Sequence, residues 1–169
     1  MKKPILPKQL SSEVVIILTK LLSKEFVAHY FYMNAANWCN NVGYFNAGKF
    51  FQSESNSELQ HAKGIQDYLV QWNHVPEIPK VDTSQKNTDL VQIINDAYNL
   101  EYDLFQDYAN NSKNLLIKDI VTFDFLEKYR QIQTDSVAEY SDLLNVLAAL
   151  GTLDEYKVLY FEMNFFKPA

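Results

Sequence analysis

With a single cysteine, Cys39, the chain forms no intramolecular disulfide and offers no second thiol for a cysteine-pair zinc site or a dithiol couple. A reducing cytoplasm is the setting this usage implies. Four glycines and five prolines are few, and long stretches pass without either, which excludes a turn-rich β fold and favours long helices. Lys2 and Lys3 open the chain, but Pro4 and Pro7 break the apolar run behind them. Glu13, Thr19 and Lys20 interrupt the next one, so the apolar region of a signal peptide is missing. No window of about 18 uncharged apolar residues exists that would span a bilayer. Positive charge is also scarce, with 15 basic against 21 acidic residues and a net charge of -6. The basic residues form no stripe suited to a phosphate backbone, so neither nucleic acid nor membrane is an expected partner.

What the chain does contain is helical periodicity. At 169 residues it fits one domain, residues 1–169, large enough to bury a sizeable core. Ser11 or Ser12 can cap a first helix, A, over about residues 11–40, with Val14/Val15, Leu18, Leu21/Leu22, Phe26 and Tyr32 at helical spacing before the stop Asn40-Asn41-Val42-Gly43. Helix B follows over about 46–72 and ends at Asn73, Pro76 and Pro79. The polar, proline-containing stretch over about 73–88 has no helical period and is long enough to cross a bundle. Helix C is expected over about 89–110, breaking at Asn110-Asn111-Ser112, with helix D over about 118–150 up to Gly151 and a short helix E over about 154–165 opened by Asp154. Two hairpins joined by one long crossover make an all-α four-helix bundle with a short fifth C-terminal helix, the topology of ferritin-like folds.

The informative residues are polar ones on the inward stripes. Helix B reads Phe51, Glu54, Glu58, His61, Ile65, Tyr68 on its inner face, placing three ionisable groups in an apolar seam where burying them unpaired is costly. Glu58 and His61 form Glu-x-x-His, and residues three apart on a helix point the same way, so carboxylate and imidazole can reach one metal. Helix A places Glu25 on its stripe and helix C places Glu101 on its own, each near mid-helix. Three carboxylates and one histidine from three helices form a di-metal carboxylate pattern. Oxygen-rich ligation with one imidazole suits Fe, Mn or Zn. Helix D offers Gln133 and Ser136 at the matching level, neither a strong ligand, which leaves an open position. Tyr32 is either a core tyrosine or a hydrogen-bonding or electron-donating neighbour of the metals. His29 is not expected as a ligand, His74 is expected in solvent, and Trp38 and Cys39 are assigned to packing.

These residues resemble the bacterial non-haem ferritins and, more distantly, the animal ferritin heavy chain, over nearly the whole chain. The likeness lies in EFVAHYFYMNAANWC on helix A, FFQSESNSELQHAKGIQDYL on B, AYNLEYDL on C, FDFLEKYRQIQ on D and LYF at Leu159–Phe161. The resemblance implies that Glu25 and His61 hold a first iron, that Glu58 bridges, and that Glu101 holds the second of two irons per subunit. It places Gln133 near bound water or oxygen species and Tyr32 beside the centre. It further implies a ferroxidase without haem that oxidises Fe(II) with dioxygen, in a cytoplasmic cage of twenty-four subunits storing Fe(III) as a hydrated oxide. Where bacterial members add a third iron site from further glutamates, this chain has Ser57, Ile132 and Ser136, with Asp135 as the one obvious acid, so a third site is not expected. Glu54 is an extra carboxylate one turn before Glu58. Two other functions fit the pattern: a non-catalytic cage with a decayed or structural zinc site, and a small di-iron oxidase acting on an organic or peroxide substrate. A second Glu-x-x-His and a rubredoxin-like cysteine set, which would mark the latter, are absent.

Overall fold

Each helix of the computed structural model begins where a side chain can satisfy its first free N–H groups. The Ser11 hydroxyl accepts from Val14 N at the start of α1 (Ser12–Val42), and the Asp89 carboxylate accepts from Gln92 N at 2.8 Å before α3 (Leu90–Lys118). Asp119 does the same for α4 (Ile120–Ala149) and Asp154 for α5 (Glu155–Phe165). The start of α2 (Phe45–Gln71) has no side-chain cap of its own at Tyr44. Its free N–H groups are satisfied from far along the chain: the buried Glu162 carboxylate of α5 accepts from Asn46 N at 2.5 Å and Ala47 N at 3.1 Å. The turn between α1 and α2 needs a left-handed residue, and Gly43 supplies it at φ 94°.

The described residues are 5–82 and 86–166; Lys2, Lys3, Pro4 and positions 83–85 of the crossover lie outside them. Among the described residues there are five helices and no strand. α1 packs chiefly on α2 and α3 on α4, with α1 also against α3 and α5 against α2, so the four long helices form a bundle with one long crossover and α5 closes one end. No helix among these residues is long and apolar enough to cross a membrane.

The third helix departs from the sequence expectation. Asn110-Asn111-Ser112 does not break it; α3 runs eight residues further, to Lys118, and α4 follows after Asp119 alone. The polar residues are absorbed within the helix: Asn111 Nδ2 donates to the Asp107 carbonyl at 2.7 Å, and the buried Ser112 hydroxyl accepts from Arg130 at 3.0 Å.

The buried side chains divide into two apolar clusters. One gathers Ala28, Tyr32, Phe51, Ile94, Ala97 and Tyr140 near α5; the other gathers Leu18, Leu21, Leu22, Ala62, Leu104, Tyr108 and Tyr129 towards the opposite end. Between them lies a layer that is not apolar at all: Glu25, Glu58, Glu101 and Gln133 are buried there.

Candidate metal centre

Four helices supply that layer. Glu25 comes from the middle of α1, Glu58 and His61 from α2, Glu101 from α3 and Gln133 from α4. Glu25, Glu58 and His61 each offer one ligand atom, and those three atoms lie within 4.8 Å of one another. His61 turns its Nδ1 edge towards both acids, 3.1 Å from Glu58 Oε2 and 3.6 Å from Glu25 Oε2. Glu101 faces the same layer but lies outside this trio; the Tyr32 hydroxyl donates to its Oε1. The Tyr108 hydroxyl donates to Glu25 Oε1.

The electrostatics are those of carboxylates with too few donors. Burial, then the charges of Glu25 and Glu101, hold the Glu58 carboxyl well above its usual range against the opposing hydrogen bond from His61. Burial likewise pushes Glu101 up to about 7, with Glu25 and Glu54 adding to the rise and the Tyr32 hydrogen bond opposing it. For His61 burial acts downward, but the pull of the Glu25 carboxylate at 3.6 Å and the hydrogen bond to Glu58 prevail and raise it to about 10. A proton on the imidazole therefore stands between two carboxylates in the metal-free protein, in the place a cation would take.

Whether a cation fits can be judged from the atoms left over. Glu25 Oε2, Glu101 Oε2 and Gln133 Oε1 are buried and have no hydrogen-bond partner. Buried acceptors are rarely left unpaired, and three in one layer is a large cost unless something positive meets them. Three carboxylates, one imidazole and one amide oxygen suit hard and borderline divalent ions. Cys39 is outside this chemistry: burial, then the charge of Glu162, pushes its thiol up to about 12.

The remaining sequence candidates fall into place around the layer. Glu54 is half-buried, with burial and the neighbouring Glu139 raising it to about 7. Ser57 and Asp135 are exposed, and Ile132 and Ser136 half-buried. His29 is engaged with Ser55, its Nδ1 lying 2.8 Å from the Ser55 carbonyl and 2.9 Å from the hydroxyl. His74 is half-buried, not free in solvent.

Sequence reasoning missed Tyr108. It sits on the apolar stripe of α3 and reads as core, and its ring is core, stacked on Tyr129 at 5.5 Å. One signal was available. Tyr32 follows Glu25 by seven residues and Tyr108 follows Glu101 by seven, and each tyrosine reaches the other helix's glutamate.

Comparison with known proteins agrees with this architecture. A family model described as a ferritin-like domain matches residues 16–150. A bacterial non-heme ferritin of Campylobacter jejuni is 26% identical over 144 residues, covering 84% of this chain and 86% of the relative. A probable bacterial non-heme ferritin-like protein of Haemophilus influenzae is 26% identical over 145 residues, 84% and 87% of the two chains. A bacterial non-heme ferritin of Staphylococcus epidermidis is 25% identical over 157 residues, 89% and 91%. Among solved structures, an open pore ferritin from the archaeon Archaeoglobus fulgidus superposes with a TM-score of 0.84 over 92% of this chain and 96% of that one, at 18% identity. A humanized archaeal ferritin gives 0.85 over 93% and 97%, also at 18% identity.

Proposed function

The chain belongs to the ferritin family, and from that premise we propose that it is an iron-storing ferroxidase whose substrate, Fe(II), is oxidised by dioxygen at the buried carboxylate layer. The observation that carries this reading is the set of three buried acceptors without a hydrogen bond, Glu25 Oε2, Glu101 Oε2 and Gln133 Oε1, together with a trio, Glu25, Glu58 and His61, whose ligand atoms lie within 4.8 Å of one another. In this reading Glu25 and His61 bind one Fe(II), Glu58 lies between the two positions, and Glu101 with Gln133 serves the second. Two ions held side by side each give one electron to dioxygen.

The positions are unequal. The first is enclosed by three groups within 4.8 Å of one another, whereas Glu101 lies outside that trio and has only an amide beyond it. Binding of the cation displaces the proton that His61 carries, so uptake releases protons to solvent. Fe(III) then leaves through the weaker position for storage as a hydrated oxide inside a cage of twenty-four copies, a cytoplasmic assembly without haem. Exposed apolar side chains support self-association: Tyr156 and Met163 on α5 are 78% and 64% exposed, and Ile117 at the α3–α4 junction is 93% exposed.

An oxygen electrode tests the proposal. Adding Fe(II) should produce rapid oxygen uptake, and a Glu25→Ala/His61→Ala double variant should lose it; wild-type uptake in that variant sinks the assigned centre. Gel filtration with iron loading separates a storage cage from an assembly that never accumulates iron, the result a purely structural metal site would give.

A further inference from the structure

The spacing Glu-x6-Tyr occurs once on α1, as Glu25 and Tyr32, and once on α3, as Glu101 and Tyr108. The two copies are cross-paired: Tyr32 donates to Glu101 and Tyr108 donates to Glu25. As the number rises on α1 it falls on α3, so these helices run antiparallel and the four side chains form a two-fold arrangement. Each hydroxyl ties up Oε1 of its glutamate and leaves Oε2 buried without a hydrogen bond. A carboxylate gripped on one oxygen presents the other alone.

The Tyr108 ring is held through Tyr129. It is fully buried and stacks on Tyr129 at 5.5 Å with 7° between the planes. Tyr129 in turn meets the His61 ring edge-on at 5.9 Å. Tyr129 reaches this place because α2 carries Gly64 opposite it: a Cβ there would stand 2.3 Å from the Tyr129 hydroxyl oxygen. Gly64 and His61 therefore fix Tyr129, Tyr129 backs the Tyr108 ring, and the Tyr108 hydroxyl donates to Glu25 Oε1.

We propose that Tyr108 is a positioning residue for the first cation position, holding Glu25 as a one-oxygen ligand as Tyr32 holds Glu101 at the second. The inference rests on the carboxylate layer being the iron site, and it assigns the geometry of one ligand there. Without the hydroxyl, Glu25 turns about its last torsion and offers both oxygens, which raises the coordination number and removes the orientation that precedes binding.

Co(II) bound to the assembled full-length protein tests this without redox chemistry, by calorimetric titration and visible absorption. Wild type should take two equivalents per chain. Tyr108→Phe should bind the first equivalent about 10–100-fold more weakly, the usual cost of losing a group that orients a metal ligand, with a weaker absorption band as coordination number rises. Its second equivalent should be unchanged. Tyr32→Phe should give the mirror image, weakening the second equivalent alone. Tyr108→Phe should still unfold cooperatively, with its thermal midpoint lowered by roughly 2–10 °C, since it leaves Glu25 Oε1 as a buried acceptor without its donor. Wild-type affinity and spectrum in Tyr108→Phe would overturn the inference, as would equal loss of both equivalents or a collapse of the fold. Glu25→Ala distinguishes the two levels: if it retains both equivalents the iron-site reading fails, whereas loss in Glu25→Ala beside an unchanged Tyr108→Phe defeats only the role of Tyr108.

Discussion

Glu101→Gln should make the metal-free protein more stable at about pH 8 while impairing its chemistry. Glutamine keeps the shape of the side chain and an acceptor for the Tyr32 hydroxyl but removes the charge. Burial raises the Glu101 carboxyl from 4.5 to about 7 in the folded state. Below the lower value both folded and unfolded chains hold the proton, and the group costs nothing. Between the two values the unfolded chain has released its proton and the folded chain has not, so stability falls as pH rises. Above about 7 the cost levels off near 3 kcal/mol, taking about 1.4 kcal/mol for each pH unit of that interval. His61 works in the other direction, since its folded value near 10 adds stability that is full below the unfolded value of about 6.5 and fades as pH climbs through 10. Its nearest partners are Glu25 and Glu58, so most of this contribution is common to wild type and variant, and the part His61 shares with Glu101 is already contained in the Glu101 value. At roughly 2–4 °C per kcal/mol for a chain of this size, chelator-treated Glu101→Gln should melt about 6–12 °C above wild type at about pH 8. The two should coincide near pH 4. Scanning calorimetry reads both, and saturating Zn(II) should narrow or reverse the gap because wild type gains more from the ion. A variant no more stable than wild type at about pH 8 would refute the claim that Glu101 is an acid buried for a cation.

Glu162→Ala removes the only side-chain cap described on α2, the one that accepts from Asn46 N and Ala47 N. It should cost about 1 kcal/mol and, by limited proteolysis, expose α5 to cleavage before the bundle; equal protection of α5 would show that its apolar contacts suffice. Gly64→Ala places a Cβ 2.3 Å from the Tyr129 hydroxyl oxygen, and that ring is walled in by Tyr108, Phe125 and His61. It should lose about 1–3 kcal/mol by overpacking and slow Fe(II) oxidation. Gly48→Ala meets Asn40 Oδ1 at the same 2.3 Å, but Asn40 is exposed and swings aside, so its thermal midpoint should hold or rise. Equal melting of the two variants would contradict this account of Gly64.

Much of the fold was legible because the signals were local. Ser11, Asp89 and Asp154 cap as their residue types lead one to expect, and Gly43 stops α1 in the left-handed conformation. The expectation failed where the deciding contact was tertiary. Asn110-Asn111-Ser112 carries the composition of a break, yet Ser112 is satisfied by Arg130 from the next helix, a partner no local pattern reveals. The same holds within the centre. Three-residue spacing put Glu58 beside His61, and mid-helix positions put Glu25 and Glu101 at their level. Which oxygen each acid leaves free depends on Tyr32 and Tyr108 crossing between α1 and α3. Tyrosine on an apolar stripe is correctly assigned to the core by its ring, and that assignment conceals what its hydroxyl does.

The two-fold relation between α1 and α3 also explains why the centre is unequal. These helices contribute matched halves: a glutamate, and seven residues on a tyrosine that holds the other helix's glutamate. The remaining two helices break the match, because α2 brings Glu58 and His61 to Glu25 while α4 brings only Gln133 towards Glu101. A symmetric frame thus surrounds an asymmetric ligand set, and the difference between the two positions reduces to an imidazole with a carboxylate on one side and an amide on the other. Local consistency fails most plainly at this layer, since several acids stand where periodicity asks for apolar residues. Its cost in the metal-free chain is the 3 kcal/mol or so worked out for Glu101, and a bound cation offsets it. On the function proposed above such a layer has a use: an ion that meets strong ligands at one position and weak ones at the next would be bound tightly enough to be oxidised and loosely enough to move on.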